Sequence, residues 1–288
     1  MFRIRIQNKK KCIWYCSAVV SFLLFLLLLG WTNHLANTQD AQQMAGRWSE
    51  KKDVAQISCF FSSKAEVTED TIQSFEYSLK NVLQEASITE TSENPSARLW
   101  VDAYSADGKI TLVNGKNTLD ANAIGIGGDF FMFHPLKLIT GSYFSGNDLM
   151  QDYCIIDQDA AWQLFGSNDV VGMTVYIGNV PHIVTGVVQR PDSRMDKAAG
   201  LNSTVVYVSY ETLSAYGTNN GINHSEIVMP NPVDEFAYSK VKEGIGIDEK
   251  NVEIVENSRR YSLPNRIKTI FAFGTRSMNG KAIIYPYW

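Results

Sequence analysis

Cysteine is scarce in this chain, and acidic charge is missing from one end of it. Only four cysteines occur in 288 residues. Cys12 and Cys16 lie in or beside an apolar run, which leaves Cys59 and Cys154 for the rest, too few for a disulfide framework. Both sit in apolar, strand-like segments, where a buried free thiol is the common state; pairing with each other requires that they meet in space. No Gly-x-x-x-x-Gly-Lys-Ser/Thr loop is present: Gly108-Lys109, Gly115-Lys116 and Gly280-Lys281 all lack the upstream glycine. Ser142, Ser145 and Ser203 have no Gly-x-Ser-x-Gly context, so nothing points to a hydrolase. His34, His134, His182 and His224 are scattered, with no i, i+4 pair and no cysteine at ligand spacing. No catalytic residue, cofactor site or metal ligand is expected, and no enzymatic activity.

No acidic residue precedes Asp40, whereas Arg3, Arg5, Lys9, Lys10 and Lys11 are all basic. Setting those five aside leaves 21 basic against 30 acidic residues in a chain whose formal charge is −4. An acidic body excludes nucleic acid as a partner, because phosphate binding needs a positive face on the folded part. The apolar run next to the basic head accounts for it. Cys12 to Trp31 holds no charged residue, and as a helix its 20 residues span about 30 Å, the thickness of a bilayer's hydrocarbon core. Cations before the run, and none after it until Arg47, predict a cytoplasmic N-terminus and an extracytoplasmic body. The run exceeds the usual signal-peptide core of about 7–15 residues, and His34 and Leu35 before Ala36 spoil an Ala-x-Ala site, so an uncleaved anchor is expected.

With 45% hydrophobic and 19% charged residues, the body is predicted to be globular. Leu35 to Glu50 reads as a short polar stalk continuing the anchor helix. Ala55, Ile57, Cys59 and Phe61 alternate as a strand. Thr68 then caps a helix with Glu69 and Asp70 in its first turn, and Ile72, Phe75, Leu79, Val82 and Leu83 recur at helical spacing. Ala97, Leu99, Val101 and Ala103 give a second strand. Downstream, Ser225 to Met229 reads as a strand, Asn231 as a cap with Pro232 at the first helical position, Gly244 and Gly246 as the stop, and Val252 to Val255 as the closing strand. The expected class is α+β: an N-terminal transmembrane helix, then a split β-α-β/β-α-β sandwich with an inserted mostly-β subdomain.

The expected boundaries are a basic head over 1–11, the membrane helix over 12–31, a stalk over 32–52, an α+β subdomain over 53–113 and 224–258, the β-rich insertion over 114–223, and a tail over 259–288. Within the insertion, Asn114-Gly115 and Gly178-Asn179 suit tight hairpins, as does Asp107-Gly108 just before it. Tyr153 to Ile156 reads as a strand, Asp157 as a helix cap and Gly166 as the helix stop. Gly125-Ile126-Gly127-Gly128 precedes apolar, strand-like sequence where a dinucleotide fingerprint needs a helix, so a turn or bulge is expected. Asp157 and Asp159 flank a helix start and read as a cap rather than an acid-base pair. Asp148 and Asp152 read as a solvated loop rather than a cation site.

One ordered series of segments carries a resemblance: Gly128-Asp129-Phe130-Phe131, Gly141-Ser142-Tyr143-Phe144, Ile155 to Gly166, Val171 to Val175, and Ile183 to Val188. In this order and spacing they resemble the MacB-type periplasmic core domain of ABC transporter permeases, over roughly Lys10 to Glu256. The resemblance implies a non-catalytic extracytoplasmic domain with a coupling or interaction role in transport. The implied partners are the membrane, a multi-spanning permease and a separate cytoplasmic ATPase subunit. Such permeases carry three further helices after the domain, but Arg259 to Trp288 holds no 18-residue apolar run. The alternative reading is a free-standing, membrane-anchored module that binds an extracellular ligand.

Overall fold

The structure, a computed structural model, describes residues 2–37, 40–49, 53–89, 98–190 and 203–260. The chain forms two compact units, residues 1–40 and 41–288. In the first, helix α1 (Phe2–Asn37) contains a segment, Ile13–His34, long and apolar enough to cross a membrane. None of that segment's apolar window is buried, so Trp14, Phe22, Leu23, Leu24, Phe25 and Trp31 present bare hydrocarbon surface that water would penalise. After a 3-10 turn (Asp40–Gln42) comes the short helix α2 (Met44–Trp48).

The second unit is organised on one mixed sheet. Strand β1 (Val54–Phe61) lies between β11 (Val252–Glu256) and β10 (His224–Pro230), and β10 in turn pairs with β2 (Val101–Asn114), all antiparallel. The order β11-β1-β10-β2 makes β1 and β2 parallel with β10 between them, which is the split β-α-β arrangement twice over. The crossovers are α3 (Glu69–Glu85) and α7 (Phe236–Gly244). Thr68 is the N-cap of α3, and its N–H donates to Thr71 Oγ1 at 3.4 Å. Ile72, Phe75, Leu79 and Leu83 fall on one helical stripe and are buried against Ile57, Cys59, Ile227 and Met229. Each contributes about 2 kcal/mol through removal from water.

The remaining strands extend the same sheet. The hairpin of β2 with β3 (Asn117–Gly128) turns at Gly115 and continues past the sandwich. Strands β8 (Val205–Ser209), β5 (Tyr153–Asp157), β7 (Val180–Val188) and β4 (Leu138–Gly141) come next in that order, with β3–β8 and β5–β7 parallel. Strand β6 (Thr174–Ile177) joins β7 through Gly178 and Asn179, at φ of 56° and 67°, the left-handed pair that such a two-residue turn requires. Helices α5 (Gln158–Phe165) and α6 (Tyr210–Tyr216) cover this part around a core that includes Leu112, Cys154, Leu164, Val184 and Leu213. Cys59 and Cys154 are both free and buried in different cores, and burial pushes each thiol up to about 12.

Five local expectations are corrected. Leu35 to Glu50 is no polar stalk continuing the anchor helix, because Met44 and Ala45 of the separate helix α2 are buried in the core of the second unit. Asp107-Gly108 is no hairpin; it lies inside β2, where Gly108 pairs with Ala123 and a Cβ would stand 2.3 Å from the Thr218 carbonyl of strand β9 (Thr218–Asn219). The glycines from Gly125 form neither turn nor bulge but lie in β3, because Leu213 packs where a Cβ of Gly125 would be and the Tyr104 ring occupies that place at Gly127. The adjoining Phe130–Phe133 segment is a helical turn, α4, rather than a strand. Finally, α7 starts after Glu235, not at Pro232. Asn231 nevertheless reaches it, its side-chain oxygen accepting from Ala237 N–H at 3.0 Å. Of the second strand, Ala97 lies outside the described residues, as does the tail beyond Arg260.

Candidate functional site: a buried polar network where both chain ends meet the sheet

Strand periodicity puts Ile57 and Cys59 on one sheet face and Gln56, Ser58 and Phe60 on the other. Their β10 partners on that second face are Val228, Glu226 and His224. The face is closed by α2, by α4 and by helix α8 (Asn257–Arg260), and most of it is apolar: Val101, Ala103, Phe130, Phe131, Phe133 and Val228 are all buried there. Within this apolar surround sits Glu226, whose side chain is 5% exposed. A carboxylate at such a place needs partners.

It has several. Ser58 Oγ donates to Glu226 Oε1 at 2.6 Å, and the Gln56 side-chain amide donates to the same oxygen at 3.3 Å. His134, delivered by the end of α4, places Nε2 2.7 Å from Glu226 Oε2, and His224 places Nε2 3.9 Å from Oε1. Burial raises the carboxyl's pKa, but the charges of His134 and His224 and the donors around it outweigh this and leave it at about 2. For His224 burial dominates, and despite Glu226 its pKa falls to about 4. The two rings are held by aromatic neighbours: Phe60 stacks on His224 at 4.7 Å and Phe130 lies 4.6 Å from His134.

Gln56 extends the network to both ends of the folded unit. Its side-chain oxygen accepts from Met44 N–H at 2.9 Å, and its amide donates to Ala41 O at 2.6 Å. Its backbone N–H donates to Ser258 Oγ at 2.8 Å, while Asn257 Nδ2 donates to Ser58 Oγ at 2.7 Å. Arg47 of α2 adds hydrogen bonds to the carbonyls of Met132 at 2.5 Å and Phe133 at 3.4 Å. Residues 41–44 and 257–258 are thus tied to Gln56 and Ser58, two positions apart on one face of a central strand.

The histidines expected to stay apart are in part brought together: His134 and His224, 90 positions apart in sequence, meet at Glu226. Three donor atoms, one from each, lie within 4.8 Å of one another. His182 goes elsewhere, its ring bonded to Val180 O and Thr212 Oγ1, and His34 belongs to α1. Asp157 caps α5 by accepting from Ala160 N–H at 2.7 Å, and it also accepts from Val205 N–H and from Arg190. Arg190 bridges Asp157 and Asp159 at 2.6 and 2.5 Å, so the two aspartates form a structural clasp. Asp148 accepts from Ser145 N–H at 2.9 Å and closes its own loop. Gln56, Ser58 and Glu226 carried no sequence motif; the only signal was three polar residues on strands whose other face carries Ala55, Ile57, Cys59, Ile227 and Met229.

An N-terminal apolar helix followed by a twice-split β-α-β sandwich, with a β-rich part inserted between its halves, defines an α+β domain preceded by one helix apolar enough to cross a membrane. The chain belongs to the MacB-like periplasmic core domain family, whose family model matches residues 21–253. It is similar to the macrolide export ATP-binding/permease protein MacB of Chromobacterium violaceum, 32% identical over 99 residues, covering 34% of this chain and 15% of that one. A Shewanella MacB is 30% identical over 161 residues, covering 52% of this chain and 24% of the relative. The chain therefore spans a minor part of the length of the curated relatives it matches. Among solved structures, the periplasmic region of MacB from Actinobacillus actinomycetemcomitans covers 79% of this chain and 94% of its own at 17% identity, with a TM-score of 0.46. The extracellular domain of the transporter YknZ from Gram-positive bacteria, also 17% identical, covers 69% of this chain and 99% of its own at a TM-score of 0.43. Family membership makes the chain a domain of the kind carried by MacB-like ABC transporter permeases.

Proposed function

We propose that this chain is a non-catalytic coupling domain of a MacB-like ABC transporter, with its N-terminus in the cytoplasm and the bulk outside. The observation that carries the reading is the double attachment of β1. Gln56 binds Ala41 and Met44 on the incoming side and Ser258 on the outgoing side. A displacement of either chain end is felt directly by the central strand of the sheet, because a hydrogen-bonded sheet moves as a unit. The anchor's orientation is supported by five cations before it and none close after it. A cytoplasmic ATPase, expected from the sequence to be a separate subunit, supplies the energy, in keeping with the relatives' name of ATP-binding/permease protein.

The test is isolation of the native complex from source membranes with an antibody against the exported domain, followed by mass spectrometry of what comes with it. An ABC ATPase and multi-spanning permease at fixed ratio are expected. A chain that purifies alone overturns the coupling reading and leaves an anchored ligand-binding module. In the intact complex, Gln56→Leu is expected to lower transport-linked ATP hydrolysis while leaving the composition of the complex unchanged.

A further inference from the structure

We propose that His134, His224 and Glu226 form a binding site for a borderline divalent transition metal, zinc above others. The donor set is two imidazole nitrogens and one carboxylate oxygen, all within 4.8 Å of one another. Tetrahedral zinc with bonds of about 2.0–2.1 Å holds its ligands about 3.4 Å apart, so side-chain shifts within the existing backbone close the site. His224 and Glu226 are neighbours on one face of β10, and His134 approaches from the turn after α4, so the ligands come from two rigidly packed elements.

The polar accounting favours a metal over a plain ion pair. His134 Nε2 and Glu226 Oε2 are buried and face each other, while His224 Nε2 is buried without a hydrogen-bond partner among the described residues. An ion pair of His134 with Glu226, at 2.7 Å, accounts for one imidazole only. The other nitrogen, on His224, lies 3.9 Å from Oε1, an oxygen that already accepts from Ser58 and Gln56. A cation among the three atoms satisfies all of them at once. Leaving a buried polar atom unpaired costs about 1–3 kcal/mol, which is why the His224 nitrogen beside that pair calls for an occupant.

The surroundings are those of a supported site. Ser58 and Gln56 fix Oε1 and turn Oε2 toward His134, while Phe60 and Phe130 fix the two rings. Both imidazole side chains are 11% exposed, while their Nε2 atoms are buried. Two nitrogens among three ligands disfavour calcium and magnesium, which take oxygen. Three protein ligands leave a fourth position for water or an incoming group.

The experiment uses the full chain in detergent, carried on an affinity tag without histidine, stripped with chelator and then titrated with Co2+ as a spectroscopic probe. One equivalent is expected to produce visible ligand-field absorption, to be displaced by Zn2+, and to raise the melting temperature reversibly. His224→Phe keeps the stack on Phe60 and removes a ligand; it is expected to weaken Co2+ binding at least 100-fold while the far-ultraviolet circular dichroism stays unchanged. Absence of a stoichiometric cobalt spectrum in the unsubstituted chain overturns the proposal, and so does a His224→Phe chain that binds as tightly. No transporter partner enters these readouts, so failure here leaves the coupling reading standing, and the reverse holds.

Discussion

The side-chain amide of Gln56 donates to the carboxylate of Glu226 at 3.3 Å across 170 residues of sequence, joining the first strand of the domain to one of its last. The same glutamine holds Met44 N–H and Ala41 O. Gln56→Leu keeps roughly the same volume but leaves buried groups on both sides unpaired. A loss of about 2–4 kcal/mol in unfolding free energy is expected in denaturant titrations. A loss below about 0.5 kcal/mol would mean that water replaces the amide and that the network does not hold the chain ends.

Asp157 and Arg190 test whether the second polar cluster is structural. Asp157 is 2% exposed and accepts from Arg190, Ala160 N–H and Val205 N–H. Asp157→Ala is expected to cost about 2–4 kcal/mol, because it removes a cap, leaves Val205 N–H unpaired and takes from Arg190 one of its two carboxylates. Arg190→Ala should cost less, since two backbone donors still serve the carboxylate. Thermal unfolding of the two variants side by side checks the order, and the reverse order would refute the clasp.

Glu76 on α3 and Asp102 on β2 share a hydrogen bond between carboxyls. Burial, then the charge of Asp102 and that hydrogen bond, with a smaller push from Glu69, raise Glu76 to about 8. Burial also raises Asp102, with Asp129 adding to the rise and Glu76, Arg98 and Trp100 opposing it. The folded protein therefore keeps a proton that the unfolded chain releases near its ordinary carboxyl value. Its contribution to stability is full below about pH 4.5 and is lost as pH rises through about 8. Melting temperatures from about pH 5 to about pH 9 should decline, and Glu76→Gln should flatten that decline. An unchanged slope in the variant would remove the pair as its cause.

Two glycines separate packing from backbone freedom. At Gly108 an added Cβ meets the Thr218 carbonyl at 2.3 Å, and that oxygen belongs to a paired strand that cannot step aside. Gly108→Ala is expected to cost about 1–3 kcal/mol or more. Gly46 lies inside α2 with nothing within 4 Å of its Cβ position, so Gly46→Ala should stabilise by about 0.4–1 kcal/mol. Equal effects at the two positions, read by calorimetry, would contradict the close approach at Gly108.

Much of the sandwich was legible because its signals are local. The alternation at Ala55 to Phe61, the stripe from Ile72 to Leu83, the cap at Asp157 and the left-handed turn at Gly178-Asn179 each need only neighbouring residues to be read. The misreadings came from glycine. Gly108, Gly125 and Gly127 look like turn residues in a sequence, yet each is a point where another element packs against a strand, and that partner lies up to about 110 positions away. Pro232 failed as a helix start because Asn231 reaches over a turn to cap α7 from further back.

By itself the sequence determined the N-terminal apolar helix, the class of the domain and its family, because apolar run length, period-two and period-3.6 patterning and ordered short segments are properties of contiguous residues. Only the tertiary structure decided that β10 runs between β1 and β2, and with it which polar residues face one another. His134, His224, Glu226 and Gln56 acquire a shared environment solely through that strand order and the register Ser58↔Glu226. Strand register is fixed by burying one face of the sheet against α3 and α7, and whatever the other face then juxtaposes is invisible along the chain.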